Sequence, residues 1–510
     1  MVWMKPLYLG CRTKKLQTMP ENKNIEKLYE LKDFFSVKQS SCDSIIEALK
    51  QFFSKRIENQ VSSLKEQGVA PTDLFSLLIC FPFFSISSVQ GWFASGFARF
   101  SDFGKDAFYR FLNKSDINWQ YLLYLFAKRF RHLVADSDNC NNDPSCLIID
   151  DSDVEKRGKF IEGVSKIFDH VRHQYIYGFK ALSLGFWDGK SFIPLDFSLH
   201  RENKNNKRFP YGLKKSDYKN QFKKHRSHKS HIFKRKKALD QNKSSGAIEM
   251  VRRAIKNGFR ADYLLCDSWF FSYELVSCLK RFKKHCIDLI AMAKMNHTKY
   301  TFQGEKLSPK QLKQRFGSQA KRSRALKARY IKVDAYLKNI PVRLFIVRYA
   351  GQKHWQLMVT TNTKLNFNKM MNIYAIRWSI EVFFKEAKQY LGLGRCQSRN
   401  FDAQIASNTM VMIQYILLTY CKRRSDYETL GALFKDQKET LIALTLSQRI
   451  WLFIKELLTS ICELFEITPN ELMQRLFNHE KGEHFLKLLE SWQFELNSNN
   501  LQKTAELERA

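Results

Sequence analysis

Apolar residues return every three or four positions through IEKLYELKDFF, CDSIIEALKQFFSKRIENQVSSLKEQG, DAFYRFLNK and WQYLLYLFAKRFRHL, which predicts helices from residue 1 to about 140. Gly68 and Pro71 punctuate this run, and Asp116 and Asn118 stand where caps of the WQYLLYLF helix belong. The opposite faces carry Lys and Arg. They suit a DNA groove or backbone, and they equally suit a helical cap packed on the next domain. Within the run, residues 74–98 carry no charge and are long enough to span a bilayer. Pro82, Gln90, five Ser and two Gly interrupt them, so a buried helical hairpin is expected and no membrane partner.

After the polar stretch 135–145 the period changes. CLIID, 146–150, is a short apolar run ending in acids, as a buried central strand would be. Residues 177–200 alternate, with Asp188-Gly189 at the turn of a hairpin. Residues 203–243 are dense in Lys, Arg and His and poor in aliphatics, and read as a loop excursion that meets a phosphate backbone. Their histidines lack metal-ligand spacing. A helix over 244–259, a strand DYLLCD at 262–267, a helix FSYELVSCLKRFKK and a strand at 287–294 follow. KARYIKVDAYL, PVRLFIVRY and HWQLMVTTN then make an inserted sheet, about 295–365. A long apolar helix is expected at 401–424, and further helices to the end, with IWLFIKELLTSICELF the strongest.

The predicted division is a helical, DNA-binding domain at 1–140, an α/β domain at 141–425 and a helical region at 426–510. Lys and Arg number 85 against 50 Asp and Glu, a formal charge of +35 that calls for a polyanionic partner, with nucleic acid the usual one. The 11 Cys include no CxxC pair, which argues for a reducing compartment and against disulfide frameworks and zinc ribbons. MVWMKPLYLG lacks a secretory apolar core, so a cytoplasmic location is expected.

YAIRWSIEVFFKEAKQYLGLGR, 374–395, is predicted as one helix. Counted from Tyr374, Arg377, Glu381 and Lys388 fall near −60°, −20° and −40° at about 100° per residue, on one narrow polar face. A solvated ion-pair ladder and an active-site helix both fit. The strands LIID and LLCD end in Asp150 and Asp267. The order of elements suggests a ribonuclease-H-like fold: a mixed five-stranded sheet with its first and fourth strands adjacent, interrupted by the β-rich insertion. That arrangement brings Asp150 and Asp267 together, with Glu381 above them. Clustered carboxylates repel one another unless a cation joins them. Oxygen ligands suit Mg²⁺, and two such ions serve phosphodiester chemistry.

The spacing Tyr374-x2-Arg377-x3-Glu381-x6-Lys388 resembles the Y-R-E-K signature of bacterial insertion-sequence transposases of the D-D-E, cut-and-paste type. IIDDS and LLCDSWF resemble that family's first two acid motifs. The resemblance covers about 145–425. It implies that Asp150, Asp267 and Glu381 hold two Mg²⁺ ions, with Mn²⁺ as a substitute. It implies that Tyr374, Arg377 and Lys388 hold the DNA phosphates. It also implies that Trp378 contacts DNA and that Trp355 stacks on a flipped base. Asp151 is the alternative to Asp150, and the family's acid-x-Ser pattern favours Asp150 before Ser152. The implied partners are double-stranded DNA, as transposon ends and target, and a second copy of the chain in the DNA complex.

Overall fold

Strand pairing between distant segments organises the molecule. The computed structural model describes residues 45–439 apart from 63–67, 96–102, 136–142, 203–207 and 283–285, together with a few residues beyond 439. The chain divides into two units, residues 1–4 with 42–438 and residues 5–41 with 439–510. Nearly all of the second unit, including IEKLYELKDFF and most of IWLFIKELLTSICELF, lies outside the described residues.

The first unit is mixed α/β. Its strands are β1 (Cys146–Glu155), β2 (Ser165–Asp169), β3 (Gln174–Trp187), β4 (Phe192–His200), β5 (Tyr263–Cys266), β6 (Asp288–Ala293), β7 (Tyr300–Phe302), β8 (Glu305–Leu307), β9 (Lys321–Ser323), β10 (Ala328–Leu337), β11 (Ile340–Tyr349) and β12 (Gln356–Thr360). They form one sheet in the order β2-β3-β1-β5-β6-β12-β11-β10-β7-β8, with β4 on β3 and β9 on β10. β1 runs antiparallel to β3, and β3 to β4, while β1, β5 and β6 run parallel. The first and fourth of the five expected strands are therefore neighbours. They belong to a twelve-stranded sheet, because the insertion does not form a sheet of its own. Its last strand, β12, pairs antiparallel with β6 and carries the ladder onward.

β1 also differs from expectation. The apolar run CLIID predicts a strand ending at Asp150, but the ladder with β3 continues from Cys146 to Glu155. Backbone pairing with β3 sustains the strand after its apolar side chains end. Asp150 and Asp151 thus stand mid-strand, on opposite faces.

The helix Phe401–Arg423 is buried on nearly every side, which explains its lack of a polar face. Tyr420 meets Phe52 edge-on at 5.3 Å, and Phe52 stacks with Phe126. The helices Ile45–Phe52, Pro71–Cys80 and Trp119–Val134 therefore pack against the same helical core as the sheet domain, the helical-cap arrangement, within one unit. The uncharged stretch breaks where Pro82 and Ser85 stand, between the helices Pro71–Cys80 and Val89–Ala94. No helix among the described residues is long and apolar enough to cross a membrane.

Candidate active site

Two chain segments meet at the β1–β5 junction. In the parallel register Ile149 lies beside Cys266, which sets Asp150 next to Asp267, one residue beyond the end of β5. The segment from Tyr374 to Lys388 reaches the same junction. It is not one regular helix. The helices Phe367–Ala375 and Trp378–Glu386 are joined by a tightened turn, in which the amides of Arg377, Ser379 and Ile380 bond three residues back. A π-turn, Ala387–Leu391, follows and closes on Gly392 in the left-handed region. The ideal 100° step therefore does not hold across the four polar residues. Burial of Ile380, Phe383 and Phe384 orients the central helix, with Phe383 4.8 Å from the Tyr415 ring and 5.5 Å from Phe192.

The polar residues still converge. Arg377 donates from Nη1 to Asp150 Oδ2 at 2.8 Å and from Nη2 to Glu381 Oε1 at 2.5 Å. Lys388 Nζ donates to Ser152 Oγ at 2.8 Å, on the Asp150 face of β1. Tyr374 is buried, and its hydroxyl donates to the carbonyl of Cys266, the residue before Asp267, at 3.4 Å. Lys156, just past β1, is 2% exposed and donates to the carbonyls of Gly394 and Cys396, both at 2.7 Å. It pins the chain that leaves the π-turn, and its burial pushes its pKa down to about 8.

The structure separates the two adjacent aspartates. Asp150 faces Arg377 and Glu381, whereas Asp151 faces the helix Lys243–Lys256 and accepts from Lys243 Nζ at 2.9 Å. The sequence offers no local signal for Lys243, which lies 92 positions away.

Burial pushes the Asp150 carboxyl up to about 7; Arg377 opposes this and the nearby Asp267 and Asp151 add to it. Asp267 is raised too, first by burial, with the amides of Trp269 and Phe270 and the charge of Arg377 holding it down. Burial also lowers Lys388 and raises Tyr374. The Asp150 shift has a stability consequence. Unfolded, the carboxyl titrates at about 4; folded, it keeps its proton to about 7. The folded state therefore binds more protons between those values, and stability falls as pH rises through the window. Without divalent metal, Asp150→Asn is expected to melt with wild type at pH 4 and above it at pH 8. Thermal unfolding at the two pH values checks this, and a pH-independent difference would count against it.

The donor chemistry of Asp150, Asp267 and Glu381 is that of hard-cation ligands. As arranged, however, no group of three His, Cys, Asp or Glu side chains among the described residues stands together as a metal site. Asp150 and Asp267 are neighbours, while Glu381 stands across the Arg377 guanidinium, which already neutralises it and Asp150. A three-carboxylate metal centre is thus not assembled in this arrangement.

The tryptophans differ in setting. Trp378 is 62% exposed. Trp355 is half-buried, with Arg348 5.2 Å and Lys313 6.0 Å from its ring centre. Trp269, which sequence reasoning passed over, is 66% exposed two residues after Asp267. An aromatic so close behind a candidate acid in LLCDSWF was the available signal.

The basic tract 203–243 also proves more structural than its composition suggests. It contains the helices Lys215–Lys219 and His231–Lys237. Arg226 is buried between Glu162 and Asp402, and Lys224 and Lys236 pair with the same two acids. Other cations of the tract, among them Lys214, Lys223 and Lys229, remain exposed.

Fold and site together define a class: a mixed α/β protein whose neighbouring half-buried aspartates lie beneath a helix bearing Arg and Glu. The family model of the DDE superfamily endonuclease matches residues 76–335, just over half of the chain, and the chain belongs to that family. Membership carries a ribonuclease-H-like fold and a transposase-like nuclease domain. The match includes Asp150, Asp151 and Asp267 and ends before Glu381. No curated protein matches the chain.

Proposed function

We propose that the protein is a DNA transposase of the insertion-sequence, cut-and-paste type. It binds the inverted ends of its element, hydrolyses them to free 3′-OH groups, and joins those ends to target DNA. One observation carries the reading: Arg377 and Lys388 reach β1 at Asp150 and Ser152, so the residues of the Y-R-E-K spacing converge on the strand that carries the first acid. A surface ion-pair ladder would not place Arg377 at 16% side-chain exposure against the half-buried middle of β1.

In this reading Asp150, Asp267 and Glu381 are the residues that would hold Mg²⁺, or Mn²⁺ in its place. When bound, the metal supplies charge stabilisation and an activated water or 3′-OH. Arg377 has a planar fork suited to phosphate, and a DNA phosphate competes with the two carboxylates for it. Lys388 brings a point charge on the same side of β1. Tyr374 props the end of β5 through the Cys266 carbonyl, which sets the height of Asp267. Trp378 offers an open indole beside Arg377, and Trp355 a ring flanked by cations that suit a DNA backbone. Water and the 3′-OH serve as nucleophiles, so no protein–DNA bond forms. A second copy of the chain is expected on the paired ends.

The test is incubation of the full-length protein with DNA carrying the inverted repeats that flank its coding region. With Mg²⁺, strand cleavage at the repeat ends and joining to a second DNA are expected, and EDTA should abolish both. Cleavage without joining would point to another ribonuclease-H-like nuclease. DNA binding with no metal-dependent nicking would point to a catalytically silent, transposase-derived binding protein.

A further inference from the structure

Two tryptophans among the described residues stand largely open to solvent, Trp269 at 66% and Trp378 at 62%, whereas Trp92 and Trp119 are fully buried. Trp269 lies two positions after Asp267, and Trp378 three before Glu381. An open indole leaves a large apolar surface in water, and one beside half-buried carboxylates invites a partner for its ring.

Trp269 is held in place. Its amide donates to Asp267 Oδ1 at 2.9 Å, which ties the indole's backbone to the carboxylate. Lys294 Nζ stands 4.0 Å from the ring centre, over one face of the indole. Lys294 follows the last residue of β6, the parallel neighbour of β5, so the contact is built on two adjacent strand ends. The cation covers one face, and the exposure therefore belongs to the other face and the ring edges. Lys294 is itself exposed, with its charge available to a nearby phosphate.

We infer that Trp269 is a stacking platform for an unpaired nucleobase at the β5 end of the site, with Lys294 fixing the indole and attracting the phosphate adjacent to that base. The inference rests on DNA being the substrate, as proposed above. A base inside a duplex has both faces stacked already, whereas an unpaired base offers a face, and aromatic stacking accepts any base. The platform therefore favours DNA whose strands are parted next to the cleaved bond. Trp269 is a positioning residue: it orients the strand and holds no reacting atom.

The experiment compares the full-length protein with Trp269→Ala and Trp269→Phe, without divalent metal. The probes are a forked DNA whose unpaired arm carries 2-aminopurine, and the fully paired duplex of the same sequence. Wild type is expected to bind the fork about 10-fold more tightly than the duplex and to quench the probe. Trp269→Ala should lose that preference and the quenching while binding the duplex as wild type does, and Trp269→Phe should keep part of both. The inference is overturned if Trp269→Ala retains the preference and the quenching, if it loses binding to both DNAs equally, or if wild type does not distinguish them. Failure of the nuclease reading shows separately, as absent Mg²⁺-dependent cleavage by the same wild-type protein, and leaves the fluorescence result standing.

Discussion

Asp267→Asn is expected to reduce Mg²⁺-dependent DNA cleavage by about 10³-fold or more, and Asp150→Asn and Glu381→Gln to do likewise. Each carboxamide keeps the shape of the side chain and removes its negative charge. At Asp150 and Asp267 burial resists the charge, and Arg377 already offsets part of it at Asp150, so a bound divalent cation would have to compete with that guanidinium. Glu381 is the sterner test, because its observed partner is Arg377 and not the aspartates. If Glu381 acts only by steering Arg377, Glu381→Gln should weaken DNA binding and leave the metal-dependent step nearly intact. If it joins the aspartates as a ligand, cleavage should vanish while DNA binding persists. Asp151→Asn provides the contrast: it faces Lys243 across the other side of β1, and its effect should be far milder. Cleavage time courses with a parallel binding assay decide among these outcomes. Normal cleavage by the Asp267 variant would end the DDE reading of this site. Combining two of the variants should cost little beyond one, since groups that act as a unit are not additive.

The second large effect falls on stability. Arg226→Met is expected to destabilise the protein by about 3–5 kcal/mol, because it strands buried acids that the guanidinium neutralises. Arg226 Nε donates to Asp402 Oδ1 at 2.6 Å, Nη2 to Glu162 Oε2 at 2.6 Å and to Asn400 Oδ1 at 3.0 Å, and Nη1 to Glu162 Oε1 at 2.8 Å. The side chains of Arg226, Glu162 and Asp402 are 1%, 3% and 0% exposed, so water cannot replace what is lost. Lys224 and Lys236 soften the loss, since each keeps one of the acids company. The network fastens the basic tract to the start of the Phe401–Arg423 helix, whose far side supports Phe383 through Tyr415. Denaturant titration measures the effect. Lys229→Met, at an exposed position of the same tract, should leave the midpoint unchanged. Equal stability of the two variants would refute the account.

Much of the architecture could be read from local pattern. The apolar runs CLIID and DYLLCD announced buried strands, Asp188-Gly189 the hairpin of β3 and β4, and the apolar run at 401–424 a core helix that the structure places at Phe401–Arg423. These are short-range signals, governed by periods of two or 3.6 residues and by turn chemistry. The same signals failed where pairing overrides composition, as in the polar half of β1 and the small strands β2, β7, β8 and β9.

The candidate site divides along the same line. Chemistry was legible: acids where apolar strand segments close, one of which proves mid-strand, and Arg, Glu and Lys in one later segment. Alternation established that Asp150 and Asp151 point to opposite faces, but not which face lies under Arg377 and which under Lys243. Composition marked residues 203–243 as basic but could not show that Arg226 lies between acids 64 and 176 positions away. By itself the sequence determined the longer elements, the charge and the inventory of reactive groups, because each depends on neighbours along the chain. Only the tertiary structure decided that Arg377 bridges Asp150 and Glu381, that the insertion extends the sheet, and that Trp269 stands open at the end of β5. Those outcomes depend on which surfaces pack together, and packing is a property of the whole fold that no local spacing encodes.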